Sequence, residues 1–127
     1  MPKTIIYTPD APNPVGPYSQ AVLANDTLYV SGQIALNPAT GQLVQDSIEA
    51  ETTQVMENLK AVLKAAEMTF DNVVSCSVFV ADINQYDRIN AVYGQYFDEA
   101  TAPSRALVQV ANLPKFVNVE VSLIAVR

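Results

Sequence analysis

Residues 73–81, VVSCSVFVA, decide the fold of this 127-residue chain. Val74, Cys76, Val78 and Val80 alternate with Val73, Ser75, Ser77 and Phe79, the period of two that sends successive side chains to opposite faces of a strand. The segment reads as a strand with one strongly apolar face. Upstream, between Asp46 and Met68, the apolar residues Ile48, Val55, Leu59, Val62, Leu63 and Ala66 recur at helical spacing and share one face. Asp46 and Glu49 resemble a capping box that starts this helix. Downstream, Asn84 can cap a second helix whose Ile89, Val92, Tyr93, Tyr96 and Phe97 form a stripe ending before Ala102-Pro103.

Further out, KTIIYT at 3–8 has strand character and runs into PDAPNPVGP, a rigid irregular loop of four prolines and a glycine. SQAVLANDTLYVSGQIAL at 19–36 holds two apolar runs joined at Asn25-Asp26, a hairpin signal. Two last strands, RALVQVA and NVEVSLIAV, complete the chain. The order strand, hairpin, helix, strand, helix, strand, strand predicts one two-layer α+β domain over 1–127, with both helices on one sheet face. The other face has no helix to cover it and holds enough apolar side chains to need a partner, so a homo-oligomer is expected.

Composition narrows the function. Half of the residues are hydrophobic and 16% are charged, against about 25% in an ordinary soluble domain. Thirteen acids against seven bases leave a net charge of -6, which repels phosphate backbones and anionic membrane surfaces. The absence of histidine removes the usual zinc sites and every histidine-dependent triad, leaving carboxylates, tyrosines and lysines to move protons. The single cysteine, Cys76, excludes an intrachain disulfide and reads as packing; it fits a reducing, cytoplasmic setting. No segment approaches the ~20 apolar residues of a membrane span, and the N-terminus carries no targeting pattern.

Strand parity places Arg105, Leu107 and Gln109 on one face and Ala106, Val108 and Val110 on the other. In the last strand, Glu120 is the only charge between Lys115 and Arg127. If the two strands pair, Arg105 and Glu120 can project from the same face, either as a structural ion pair or as a small-anion site. In the second case the guanidinium forks onto a carboxylate and the glutamate handles water. Gly16-Pro17 fixes the backbone before Tyr18, whose ring can wall a pocket or pack in the core. Ser31-Gly32 interrupts a strand, as a bulge or as a close approach. Asn90 falls on the polar side of the second helix.

GPYSQA at 16–21, VSGQI at 30–34, ENLKAVLKAAEM, SVFVAD at 77–82, APSRALVQVANLP and VEVSLIAV together resemble the Rid (YjgF) family of imine deaminases, in order and over nearly the whole chain. The resemblance implies a chorismate-mutase-like α+β fold, a homotrimer whose sheets form a central barrel, and a ligand cleft at each subunit interface. It also implies hydrolysis of 2-iminopropanoate and 2-iminobutanoate to 2-oxo acids and ammonia, without metal, cofactor or histidine. On this likeness Arg105 grips the substrate carboxylate and Glu120 moves the proton. Tyr18, Ser31 and Gly32 line the cleft, with Asn90 contributing from the helix. Leu107 stands where many members have cysteine; the family's contact there involves backbone, so the change adjusts pocket shape. The rival reading is a module that binds 2-oxo acids without turnover, for which Arg105 is needed and Glu120 is not. An RNA-cleaving role, suggested for some relatives, conflicts with the acidic charge.

Overall fold

The computed structural model describes residues 2–127. Strands β1 (Thr4–Ile6), β2 (Ala21–Ala24), β3 (Thr27–Gln33), β4 (Val73–Val80), β5 (Ser104–Gln109) and β6 (Val119–Val126) form one six-stranded sheet in the order β1-β2-β3-β6-β4-β5. Helices α1 (Ile48–Ala65) and α2 (Tyr86–Tyr93) pack on one face of it. β4 and β5 pair in parallel, as the intervening helix requires, and the other neighbours are antiparallel. The hairpin between β2 and β3 closes at Ala24 and Thr27 around Asn25-Asp26. Asn25 takes the left-handed φ of 55° that asparagine tolerates better than most residues.

Burial follows the alternation. Val55, Met56, Leu59, Val62 and Leu63 of α1 and Ile89 of α2 meet Leu28, Val30, Val78, Val80, Val119 and Val121 of the sheet, all buried. Each such side chain contributes roughly 1.5–3 kcal/mol by leaving water. The opposite face is open. Val22, Tyr29 and Ile124 share a row across it, and Phe79 and Val108 share another, with Ser75, Ser77 and Ser122 between them. Tyr29 and Val108 remain about half exposed there (50% and 46%), so apolar surface lies in water on this face.

Four local expectations are corrected. The α1 cap is Ser47, whose hydroxyl accepts the Ala50 N–H at 3.0 Å; Glu49 is thereby freed to take Arg88 in a two-point ion pair, Nε at 2.8 Å and an η nitrogen at 2.6 Å. Asn84 is not a cap: Asp82 caps a 3-10 turn over Ile83–Gln85 that leads into α2. The predicted second helix stops at Tyr93 and continues only as a 3-10 turn over Gly94–Tyr96. A bulge between Val73 and Ser75 shifts the start of β4, burying Val73 and leaving Val74 exposed, the reverse of strict alternation.

Buried polar groups hold the pieces that carry the site. Gln20 accepts the Thr8 N–H at 2.7 Å and donates to the carbonyls of Thr8, Ala11 and Pro12, clamping the proline-rich loop. Asn58 of α1 donates to the carbonyls of Ile34 and Leu36. Glu51 of α1, 1% exposed, accepts from the Asn118 N–H and side-chain amide, each at 2.8 Å, and from the Val119 N–H at 3.3 Å. It thus pins the entry to β6 immediately before Glu120.

Candidate active site

A cleft of about 490 Å³ opens between the proline-rich loop, the end of β3 and the corner before β6; Pro12, Val15, Tyr18, Ser31, Gly32 and Glu120 are among its lining residues. Gly32 sits at the irregularity between Val30 and Gln33 where β3 slips against β6. A methyl group built on Gly32 would overlap the Glu120 carboxylate, only 2.8 Å from its Cδ. Glycine leaves the carboxylate room to lie across its α-carbon, and a larger residue would push that carboxylate aside. Burial pushes the Glu120 carboxyl above the usual carboxylate range, and among the described residues no ion pair or hydrogen bond draws it back.

The hydrogen-bond capacities around it are specific. The Ser31 hydroxyl donates to the Ser19 carbonyl at 2.6 Å, so toward a ligand it can only accept. The Tyr18 phenol oxygen accepts the Val15 N–H at 3.3 Å, which leaves its O–H free to donate. Lys115 also lines the cleft, on a corner where Lys115 and Phe116 both take left-handed φ of 55° and 54°. Such backbone costs of order 1–3 kcal/mol per residue. Phe116 stands 80% exposed beside it.

Arg105 is elsewhere. The pairing of β5 and β6 that would bring it beside Glu120 does not occur: both strands pair with β4, which lies between them. Arg105 is in register with Cys76 and Glu120 with Phe79. Cys76 and Phe79 are an odd number of residues apart, so the two charges leave opposite sheet faces, Arg105 on the helix side and Glu120 on the open side. Two strand spacings and three residues separate them, each roughly 10 Å. No small imino acid spans that within one chain.

The Arg105 guanidinium donates to Asn90 Oδ1 at 2.7 Å and to the Tyr86 hydroxyl at 2.8 Å, with its Cζ 4.9 Å from the Tyr93 ring centroid and 5.6 Å from that of Tyr86. Asn90, expected on the polar side of its helix, is half-buried and faces β5. The Leu107 side chain packs partly buried against the core. The Val110 N–H goes to the Val80 carbonyl at 2.9 Å, and the two-residue period of the ladder then turns the N–H groups of Arg105, Leu107 and Gln109 to the free edge of the sheet. Cys76 is buried beneath Arg105 and Tyr93, and burial raises its thiol pKa, as expected of packing rather than a nucleophile.

Sequence reasoning did not pick out Glu51, Tyr86, Tyr93 or Lys115 as site residues. Tyr86, Asn90 and Tyr93 at i, i+4 and i+7 form one helix stripe, a signal present in the sequence. Glu51 had none, because its partners are backbone groups 67 and 68 positions away.

The chain matches the family described as endoribonuclease L-PSP over residues 8–127. It belongs to this family, also called YjgF or Rid. A RutC family protein of Synechocystis is 50% identical over 127 residues, covering 99% of this chain and 98% of the relative. The human 2-iminobutanoate/2-iminopropanoate deaminase is 44% identical, covering 98% of this chain and 90% of that one. Among solved Rid-type structures, Escherichia coli TdcF with bound serine superposes with a TM-score of 0.91 at 41% identity, each chain covered to 98%. A Rid family protein of Yersinia pestis superposes with a TM-score of 0.96 at 44% identity, covering 99% of this chain and 100% of that one. These likenesses agree with the α+β architecture of two helices on a mixed six-stranded sheet. No helix of the described residues is long and apolar enough to cross a membrane.

Proposed function

We propose that the chain is a 2-imino acid deaminase that works as a homotrimer, each cleft built from Glu120 of one copy and Arg105 of the next. The observation that carries this reading is the division of the site: an uncompensated half-buried carboxylate over Gly32, and a guanidinium tied only to neutral groups on the opposite sheet face. Each half lacks what the other offers. The open sheet face, with Tyr29, Phe79 and Val108, is the surface that the copies bury in a central barrel.

The chemistry follows from the parts. Arg105, aided by the Leu107 N–H at the sheet edge, holds the substrate carboxylate and fixes the C=N carbon beside water at Glu120. Water oxygen bonds to that carbon, the C=N π pair moves to nitrogen, and the ionised Glu120 takes the water's proton. With the imine nitrogen protonated at the start, the same proton then passes from Glu120 to the amine of the adduct, making –NH3+. As the C–N bond breaks and its electron pair leaves with ammonia, Glu120 takes the remaining hydroxyl proton and the O–H pair closes the C=O of the 2-oxo acid. That proton goes on to ammonia as ammonium. A carboxylate held above its ordinary pKa is suited to these transfers. Tyr18 donates to and Ser31 accepts from the polar atoms of substrate or adduct. Nothing in these steps calls for a metal or cofactor. A reducing cytoplasmic location belongs to the same proposal. The bound serine of TdcF supports a second reading, a small-carboxylate binding protein without turnover.

Subunit mixing tests the divided site. Arg105→Ala and Glu120→Ala are each expected to be inactive in a threonine-dehydratase assay with semicarbazide trapping of residual imine. Unfolded and refolded together at equal amounts, they should regain about a quarter of wild-type activity, because random assembly pairs an intact Arg105 with an intact Glu120 that often. No recovery in mixed trimers would overturn the divided site. A wild type that does not speed 2-oxobutanoate formation would leave the binding-protein reading.

A further inference from the structure

We propose that Tyr86, Asn90 and Tyr93 are positioning residues, a neutral cradle on α2 that sets the plane and rotation of the Arg105 guanidinium before any carboxylate arrives. The proposal rests on the reading of Arg105 as a carboxylate clamp. An arginine side chain carries about 2 kcal/mol of rotamer entropy, which a free guanidinium loses on gripping a ligand. Here one η nitrogen is held by Asn90 Oδ1 at 2.7 Å and the other by the Tyr86 hydroxyl at 2.8 Å. The rings of Tyr93 and Tyr86 lie 4.9 Å and 5.6 Å from Cζ. Two hydrogen bonds from different nitrogens fix rotation about Nε–Cζ, and the aromatic rings pack against the cation.

The chemistry of the cradle separates positioning from simple packing. A guanidinium has five N–H donors, and the cradle takes two, leaving three for a bidentate grip. Neither acceptor is charged. A carboxylate at position 86 or 90 would hold Arg105 more strongly, but it would cancel the positive charge and occupy the fork that a substrate carboxylate needs. Among the described residues the Tyr93 hydroxyl is buried with no nitrogen or oxygen partner and lies by the Cys76 thiol, and it is the Tyr93 ring that meets the guanidinium.

One ligand-independent and one ligand-dependent measurement test this. Nitrogen-15 NMR of the free protein reads rotation about the Arg105 Nε–Cζ bond, and calorimetry reads the affinity for 2-oxobutanoate, a carboxylate that cannot turn over. Tyr86→Phe and Asn90→Ala are expected to speed the rotation and to weaken 2-oxobutanoate by about threefold to tenfold each, because the rotamer freedom that the cradle removes beforehand must then be given up on binding, with the melting temperature little changed. Tyr93→Leu should act in the same direction, and Tyr93→Phe, which keeps the ring, should rescue it. Unchanged rotation in both Tyr86→Phe and Asn90→Ala would overturn the cradle. Faster rotation with unchanged affinity would overturn its role in positioning. If the wild type binds no 2-oxobutanoate, the clamp reading fails, while the rotation data still decide whether Arg105 is held.

Discussion

The Glu120 carboxylate occupies the space that a side chain at position 32 would need, so the site is sensitive to small changes there. Gly32→Ala forces the carboxylate off the α-carbon it now covers; a displacement of about 1 Å at a reacting group lowers turnover roughly a hundredfold. The imine assay should show that loss with an unchanged circular-dichroism spectrum. For Glu120 the pH dependence has a definite sign. Its folded pKa is raised above the ordinary 4.5 by burial, so the folded chain holds this proton more tightly than the unfolded chain does. The resulting stabilisation is fully present below the ordinary value and is lost as pH rises through the raised one. Glu120→Gln is therefore expected to abolish turnover yet raise the melting temperature at about pH 7, with the gain shrinking toward about pH 4. A melting temperature lowered equally at both values would contradict this account.

The elements act mainly as supports for those side chains. α1 reaches across to β6 through Glu51, whose carboxylate takes two backbone N–H groups and one amide at the strand's entry. Glu51→Ala strands buried donors and should cost roughly 1–3 kcal/mol for the groups left unmatched, measured by urea denaturation. It should also reduce turnover, because Glu120 is the next residue but one after Asn118. Glu51→Gln, which keeps an acceptor, should lose less of both. The sequence showed α1 by its period but placed its start one residue early, since Asp46 and Ser47 are both capable caps and only the geometry of the turn selects Ser47. It overextended the second helix because Tyr96 and Phe97 keep the stripe going; in the fold they pack on Phe70 from a 3-10 turn and an extended residue instead.

For the whole molecule, the open sheet face is the surface on which the proposed trimer rests. Charge placed among exposed apolar groups that a partner must cover costs several kcal/mol on burial, so Val108→Asp is expected to sediment as a monomer. Under the divided-site reading it should also lose imine turnover while retaining its fold. A Val108→Asp monomer with full activity would show that one chain suffices. The -6 charge and the lack of histidine keep nucleic-acid cleavage a poor account of this member, although its family is described as endoribonuclease L-PSP.

Period and punctuation by themselves determined the elements, their order and the two-layer class, because side-chain spacing reports which face a helix or strand buries. Residue chemistry in the sequence also singled out Arg105, Glu120, Tyr18 and Ser31-Gly32. Only the tertiary structure decided that β4 separates β5 from β6, and so that Arg105 and Glu120 face opposite ways. Strand order depends on long-range pairing and packing, to which local periodicity is blind. The same holds for the acceptors that gather on Arg105 and for the carboxylate that lies over Gly32.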